Sequence, residues 1–244
     1  MIKVVNEMCF FYALSKEAQK LKNRMQIKFE FDFEPIFYTS GFDYPKMPVV
    51  TNGEPDRLQL MNWGLIPPWT KPENAAKMRS YTLNARSDSL FVKPSFRNTI
   101  RQKRCLVPAT GFYEWREFSG KKYPYFIYLK KQKIFNFAGI WEEWVDRSTG
   151  EVIKTYSIIT TEANQMMSKI HNRKKRMPVI LPESEERNWL RPDLGKEEIL
   201  SMTRPLDDSL MEAHTISRLI TSKTEQRNVP AIQNEFCYPE LTDL

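Results

Sequence analysis

Four stretches of this 244-residue chain carry side chains that could do chemistry together. The first is Met8-Cys9-Phe10-Phe11, close to the start. If translation begins at Met8, or if residues 1–8 are removed, Cys9 becomes the N-terminal residue. Its thiol and a free α-amine then sit on one residue. Such a 1,2-aminothiol condenses with an aldehyde: the amine forms an imine and the sulfur closes a five-membered thiazolidine. An internal cysteine has no amine and cannot do this. An α-amine titrates near pH ~8 and a thiol near ~8.5, so both are partly deprotonated at neutral pH. The second stretch, Asn84-Ala85-Arg86, pairs an amide that donates and accepts with a guanidinium fork shaped for phosphate. The third, Gly111-Phe112-Tyr113-Glu114-Trp115, holds a carboxylate among aromatics, where burial would raise its pKa and suit it to proton transfer. The fourth is His171, followed by Asn172-Arg173-Lys174-Lys175-Arg176. An imidazole with an ordinary pKa of about 6.5 suits a general acid, and the basic run beside it would lower that value and hold phosphate.

Each stretch also has a plainer reading when taken singly. Free cysteines are mostly small core residues. Asn84 and Arg86 fit a turn and a surface. Alternation along a strand turns Glu114 toward solvent, and the run after His171 fits the solvated end of a helix. The case for chemistry rests on the four together.

Composition sets the frame. The chain has 41% hydrophobic and 13% aromatic residues, ample for a core, and its length suits one large folded domain or two small ones. Its net charge of +7 and pI near 9.2 fit a polyanionic partner as well as an ordinary basic surface. Cys9, Cys105 and Cys237 are far apart, and the only histidines are His171 and His214. That pattern excludes a disulfide framework and a structural zinc site, and it points to a reducing cytoplasm. No run is long enough for a transmembrane helix, and Asn6-Glu7-Met8 before Cys9 does not fit an export or lipoprotein signal.

The elements that must position these residues follow from pattern. Ser15 to Met25 reads as a short helix, and residues 28–50 as irregular strand and loop. Arg57 to Trp63 alternates, then enters the apolar loop Gly64-Leu65-Ile66-Pro67-Pro68-Trp69. Ser95 to Gln102 reads as a basic helix. A run of strands follows at Cys105 to Glu117, Tyr123 to Leu129, Ile134 to Trp144 and Val152 to Thr160, with short polar turns that imply antiparallel pairing. Thr161 is placed to cap a helix to Lys169. Short helices at Glu183 to Leu190 and Lys196 to Met202, and a last strand from His214 to Ile220, complete the chain. The expected fold is α+β: one domain, residues 9–244, on a curved, mainly antiparallel, barrel-like sheet with short peripheral helices.

The order of motifs resembles the SRAP family, the SOS-response-associated peptidase or abasic-site processing proteins. The matching stretches are Met8-Cys9, Trp63-Gly64-Leu65-Ile66-Pro67, Asn84-Ala85-Arg86, Gly111-Phe112-Tyr113-Glu114-Trp115, His171 with Arg176-Met177-Pro178-Val179-Ile180-Leu181, and His214-Thr215-Ile216-Ser217. The resemblance implies a protein that crosslinks its N-terminal cysteine to abasic sites in single-stranded DNA through a thiazolidine, shielding the lesion. It implies Cys9 as nucleophile, Glu114 as the carboxylate that holds the amine and moves protons, Asn84 as the positioning amide, and His171 in sugar ring opening. Arg86 and Arg176 would contact phosphate, and Trp69 would wall the lesion. No cofactor or metal is implied. The expected partner is single-stranded DNA with abasic sites, met by a cytoplasmic monomer associated with the nucleoid when on DNA.

Three features depart from the family pattern. The usual Cys-Gly-Arg start is Cys9-Phe10-Phe11, which lacks one phosphate-binding arginine. Two extra residues stand between His171 and Arg176. Residues 1–8 precede Cys9 and read as a leader or a mis-assigned start, since an attached leader would convert the amine to an amide. Two other functions stay open at this point: a cysteine autopeptidase or protease using Cys9, and a non-covalent binder of single-stranded nucleic acid.

Overall fold

The computed structural model describes residues 9–16, 18–28 and 31–241, so the expected leader at 1–8 lies outside the described residues. In chain order the elements are β1 (Phe11–Leu14), α1 (Ala18–Met25), β2 (Ile36–Ser40), β3 (Lys46–Thr51), β4 (Glu54–Trp63), α2 (Pro72–Tyr81), β5 (Asn84–Arg86), α3 (Thr99–Gln102), β6 (Arg104–Ala109), β7 (Gly111–Phe118), β8 (Lys121–Leu129), β9 (Phe135–Val145), β10 (Val152–Glu162), α4 (Gln165–Ile170), β11 (Arg176–Pro178), β12 (Ile180–Leu181), α5 (Glu183–Trp189), α6 (Lys196–Met202) and β13 (Met211–Thr215). The mixed α+β architecture matches the expected class.

Five strands close on themselves. β10 pairs with β4, β4 with β3, β3 with β6, β6 with β9, and β9 returns to β10. All these pairings are antiparallel except β4–β10. Closure holds over the first half of β10, where Val152 to Ile158 run against β9. Beyond it the barrel splays. β5 joins β10 in parallel at Ile158 to Thr160, and β11 joins it at Thr160 to Glu162. β12 takes the matching place on β9. A second sheet, β13-β8-β7-β1-β2, packs against this barrel.

Alternation sorts the side chains. Met61, Trp63, Cys105, Val107, Phe137, Tyr156 and Ile158 share a cluster with Tyr12, Phe112 and Ile127 of the second sheet. Their neighbours Val50, Leu58, Leu106, Ala138, Ile140 and Ile159 face the other way, onto Leu21, Trp189 and Ile199 of α1, α5 and α6. This is the period-2 pattern of a sheet buried on both faces. Each such large apolar side chain contributes about 1.5–3 kcal/mol when fully buried.

Several sequence readings need correction. Residues 105–117 form two strands, because the chain changes sheet at Thr110. Thr110 N–H and Oγ1–H donate to the Ala13 carbonyl at 2.8 and 3.2 Å, and Gly111 admits the Phe126 ring where a Cβ would lie 2.3 Å from it. The strand expected to end at Thr160 runs on to Glu162, so Asn164 caps α4 instead of Thr161, accepting from Met167 N–H at 2.8 Å. The basic helix before β6 is a single turn, α3. The last strand lies earlier, at Met211–Thr215. Helix α2 has no counterpart in the sequence pattern. Pro72 starts it, yet it buries no residue, so it shows no apolar period to read. Among the described residues no helix is long and apolar enough to cross a membrane, no acidic, Cys or His group gathers as metal ligands, and the three cysteines are free.

Candidate active site

Cys9 lies just before β1, in the seam between the two sheets, and is 4% exposed. The register of β1 against β7 pairs Tyr12 with Phe112 and Ala13 with Gly111. Run antiparallel, that register carries Glu114 to the level of Phe10, beside Cys9. Glu114 is 4% exposed, so the surface expected from alternation is in fact an interface. The Cys9 thiol contacts the Glu114 carboxylate. From the barrel side, Asn84 Nδ2–H donates to the Cys9 carbonyl at 3.1 Å.

His171 reaches the same place from α4. It ends that helix, its N–H donating to the Met167 carbonyl at 2.7 Å. The chain then turns back, closed by Lys175 N–H on the His171 carbonyl at 2.8 Å, with Lys175 at φ 49°. Asn172 ties this turn to β7 from both sides of its amide. Its Nδ2–H donates to the Glu117 carbonyl at 2.7 Å and its Oδ1 accepts from Glu117 N–H at 3.1 Å. Thus the turn is pinned three residues along the strand from Glu114. His171 Nε2 sits 4.0 Å from Glu114 Oε2. Nδ1 lies 2.9 Å from the Arg176 carbonyl oxygen and 3.4 Å from Arg176 N, and Nε2 is the ring nitrogen that faces the carboxylate.

The two arginines arrive on the splayed ribbon. On β5, Asn84 and Arg86 share one face, two residues apart, with Ala85 buried on the other. Arg86 is level with Thr160 of β10. Arg176 of β11 is 8% exposed, and its Nη2–H groups donate to the Thr160 carbonyl at 2.7 Å and Thr160 Oγ1 at 3.0 Å. Asp88 stands between the arginines. It takes Arg86 Nη2 at 2.5 Å and Nε at 3.2 Å, and lies 3.6 Å from Arg176 Nη1.

The electrostatics of the pocket favour neutral groups. Burial, then the Glu114 carboxylate beside it, push the Cys9 thiol well above its usual value, against the pull of Arg176. Burial also raises Glu114, opposed first by His171 and then by Cys9. Arg176 is lowered by burial and by Arg86, opposed by Asp88. Asn84 Oδ1, Glu114 Oε1, His171 Nε2 and Arg176 Nε are all buried without a hydrogen-bond partner among the described residues. A buried polar atom left unpaired costs about 1–3 kcal/mol. Four of them within one cluster are unspent capacity for hydrogen bonding and proton transfer at Cys9.

The structure therefore brings together Cys9, Asn84, Glu114, His171 and Arg176, with Arg86 at the rim, 47% exposed on its side chain. Trp69 stands apart. It is 56% exposed before α2, in a groove with Lys71, Lys77, Met78 and Tyr81, while Asn84 follows the other end of that helix. Ten helical residues span about 15 Å. Sequence reasoning passed over Asn172, Asp88 and Thr160. Asn172 and Thr160 are ordinary residues of a charged run and a strand, and only the pairing of strands reveals their work. Asp88 had one available signal, its spacing of two from Arg86.

Comparison with known proteins places the chain in a family. The family model for SOS response associated peptidase (SRAP) matches residues 8–223, starting one residue before Cys9. The abasic site processing protein YoqW of Bacillus subtilis is 41% identical over 176 residues, 71% of this chain and 75% of that protein. The abasic site processing protein HMCES of Gallus gallus is 34% identical over 68% of this chain and 54% of its own length. A crystal structure of a protein from Bacteroides thetaiotaomicron superposes with a TM-score of 0.89 at 40% identity, covering 94% of this chain and 100% of that one.

Proposed function

This chain belongs to the SOS response associated peptidase family, and on that premise we propose that it captures abasic sites in single-stranded DNA covalently at Cys9. The reactive form begins at Cys9, after loss of residues 1–8. The family match starting at Met8 supports that start. So do the names of the relatives, which are abasic site processing proteins. The observation that carries the reading is the convergence of four unpartnered buried polar atoms around Cys9.

The chemistry balances as follows. An abasic sugar must first open from hemiacetal to aldehyde. His171 Nε2, which faces the pocket, relays the C1′ hydroxyl proton to the ring oxygen as the bond between C1′ and that oxygen breaks and the C4′ hydroxyl forms. The Cys9 amine then adds to the aldehyde carbon, and one water leaves as the imine forms. Glu114, raised by burial, donates a proton to the departing oxygen. Asn84 holds the Cys9 carbonyl so that the amine and thiol face the same carbon. The sulfur adds to the imine, its proton passes to nitrogen through Glu114, and the thiazolidine closes. No redox partner is needed. Arg86 and Arg176 hold the flanking phosphates, and Trp69 offers a face for a base farther along the strand.

The peptidase reading has less in its favour. A cysteine hydrolase needs a thiolate paired with histidine. Here burial and Glu114 keep the thiol protonated, and Glu114 is its neighbour. The test is a denaturing gel with DNA carrying one abasic site. Protein starting at Cys9 should give a heat-stable shifted band, and DNA without an aldehyde should give none. An equal yield on both DNAs would reject covalent capture of the lesion.

A further inference from the structure

The chain contains two Arg-x-Asp pairs of the same local form. In the first, Arg191 Nη2 and Nε meet Asp193 at 2.7 and 3.1 Å, and the pair lies on the surface away from the site. In the second, Arg86 meets Asp88 in the same two-pronged way. A pair of this kind forms wherever the spacing allows, so the second would carry no message by itself. It differs in what else the carboxylate faces. Asp88 Oδ2 also lies 3.6 Å from Nη1 of Arg176, a guanidinium that is 8% exposed and anchored on Thr160. One carboxylate thus sits between two guanidiniums on the ribbon that also carries Asn84.

A carboxylate bound by an arginine fork has nearly the same hydrogen-bonding outline as two oxygens of a phosphate diester. We propose that Asp88 is a resident mimic of the DNA phosphate, which an incoming phosphate must displace from Arg86 and Arg176. This inference rests on the reading above that both arginines bind phosphate. Asp88 belongs to a short turn, Ser87–Ser89, directly after β5, and its side chain is 51% exposed, so it can swing into solvent without disturbing the core. With Asp88 in place, the two positive forks attract passing DNA weakly. The protein samples intact strands and leaves them, and long residence is kept for a lesion that reacts with Cys9. Asp88 is in this sense a specificity-determining residue, acting against non-covalent binding.

The opposite role is a positioning one. If Asp88 merely holds Arg86 in place, removing its charge should loosen the fork and weaken DNA binding. The two roles predict opposite signs. The experiment measures equilibrium binding of an intact single-stranded oligonucleotide over a salt series. It compares the parent, Asp88→Asn, Arg86→Ala and the double variant, each expressed from the natural start with whatever processing the cell gives it. Asp88→Asn is nearly isosteric, and its fold is checked by thermal melting. The expected result is binding about 3- to 10-fold tighter at low salt, the scale of an exposed ion pair and its repulsion of phosphate. The logarithmic salt slope should change little, because the same phosphate contacts form once Asp88 is displaced or absent. The gain should shrink in the Arg86→Ala background. Unchanged or weaker binding by Asp88→Asn, with Arg86→Ala also weakened, would overturn this inference and leave the phosphate reading standing. Arg86→Ala binding like the parent would overturn both.

Discussion

Two seams of this protein bury an arginine and a glutamate, and they treat them differently. At the seam of α3, β6 and α5, Arg104 is fully buried and lowered by burial. Its donors go to backbone carbonyls: Trp189 at 3.0 Å, Ile100 and Arg101 at 2.9 Å each, and Arg191. Nearby Glu142, 5% exposed, is met by Lys103, by Thr99 Oγ1 at 3.1 Å and by Glu143 N–H at 3.1 Å. In the seam between the sheets, Arg176 and Glu114 are about as buried. Yet Arg176 Nε and Glu114 Oε1 find no partner among the described residues. In this pair of seams, the groups at Arg104 and Glu142 are saturated by the fold. Those beside Cys9 keep hydrogen-bonding capacity that the fold alone does not fill.

That contrast can be broken by substitution. The largest effect is expected in the second seam. In protein starting at Cys9, Cys9→Ser should give no stable adduct, because oxygen closes a far less persistent ring, while borohydride should still trap the imine. Full adduct without reductant would mean that another nucleophile acts. Glu114→Gln should slow adduct formation about 10²- to 10⁴-fold, the usual worth of a positioned acid–base group, as read from single-turnover time courses. It should not destabilise the fold.

The same variant has a signature in pH. Burial raises Glu114 in the folded chain, so the folded state binds this proton more tightly than the unfolded chain does. Stability therefore falls as pH rises from the ordinary carboxylate value through the raised one. Glu114→Gln should remove that part of the slope in denaturant titrations taken across the acidic to neutral range. An unaltered slope would show that Glu114 is not held above its ordinary value.

The first seam should answer in stability instead. Arg104→Met leaves several carbonyls unpaired and should cost about 3–5 kcal/mol, the scale of breaking a buried charged network. The folded fraction should crosslink at the parent rate. Arg176→Met should cost less stability and more crosslinking. If the two variants lose stability equally, the contrast between saturated and unsaturated seams fails. Smallest is Arg86→Ala at the exposed rim. It should weaken single-stranded DNA binding several-fold and lower the logarithmic salt slope by about 1, as expected for one lost phosphate contact.

The contrast also explains what could be read from sequence. The strands of the barrel announced themselves, since Tyr123 to Leu129 and Ile134 to Trp144 carry dense apolar residues between turn signals. The break at Thr110 did not, because a chain that changes sheet keeps its strand-like composition on both sides. Helix α2 was silent because none of its residues is buried. At the site, the residue types of Cys9, Asn84, Glu114 and His171 were visible, but their meeting depends on long-range register. Glu114 shows this best. Its neighbours along the strand suggest exposure, and only the second sheet closing on the barrel buries it. Asn172 was hidden for the same reason, since its partner is a backbone 55 residues away.

On the proposed mechanism, the thiol and α-amine of Cys9 react together in this pocket. The direct measurement is the intact mass, with peptide mapping, of the adduct on a single-stranded oligonucleotide bearing one abasic site. It should be made for the chain starting at Cys9 and for the chain shown by mass to retain residues 1–8. The first form should give an adduct equal to protein plus DNA less one water, mapped to Cys9, and the second form none. A stable adduct at Cys9 with Met1 to Met8 still attached would contradict that mechanism, because an amide nitrogen cannot form the imine.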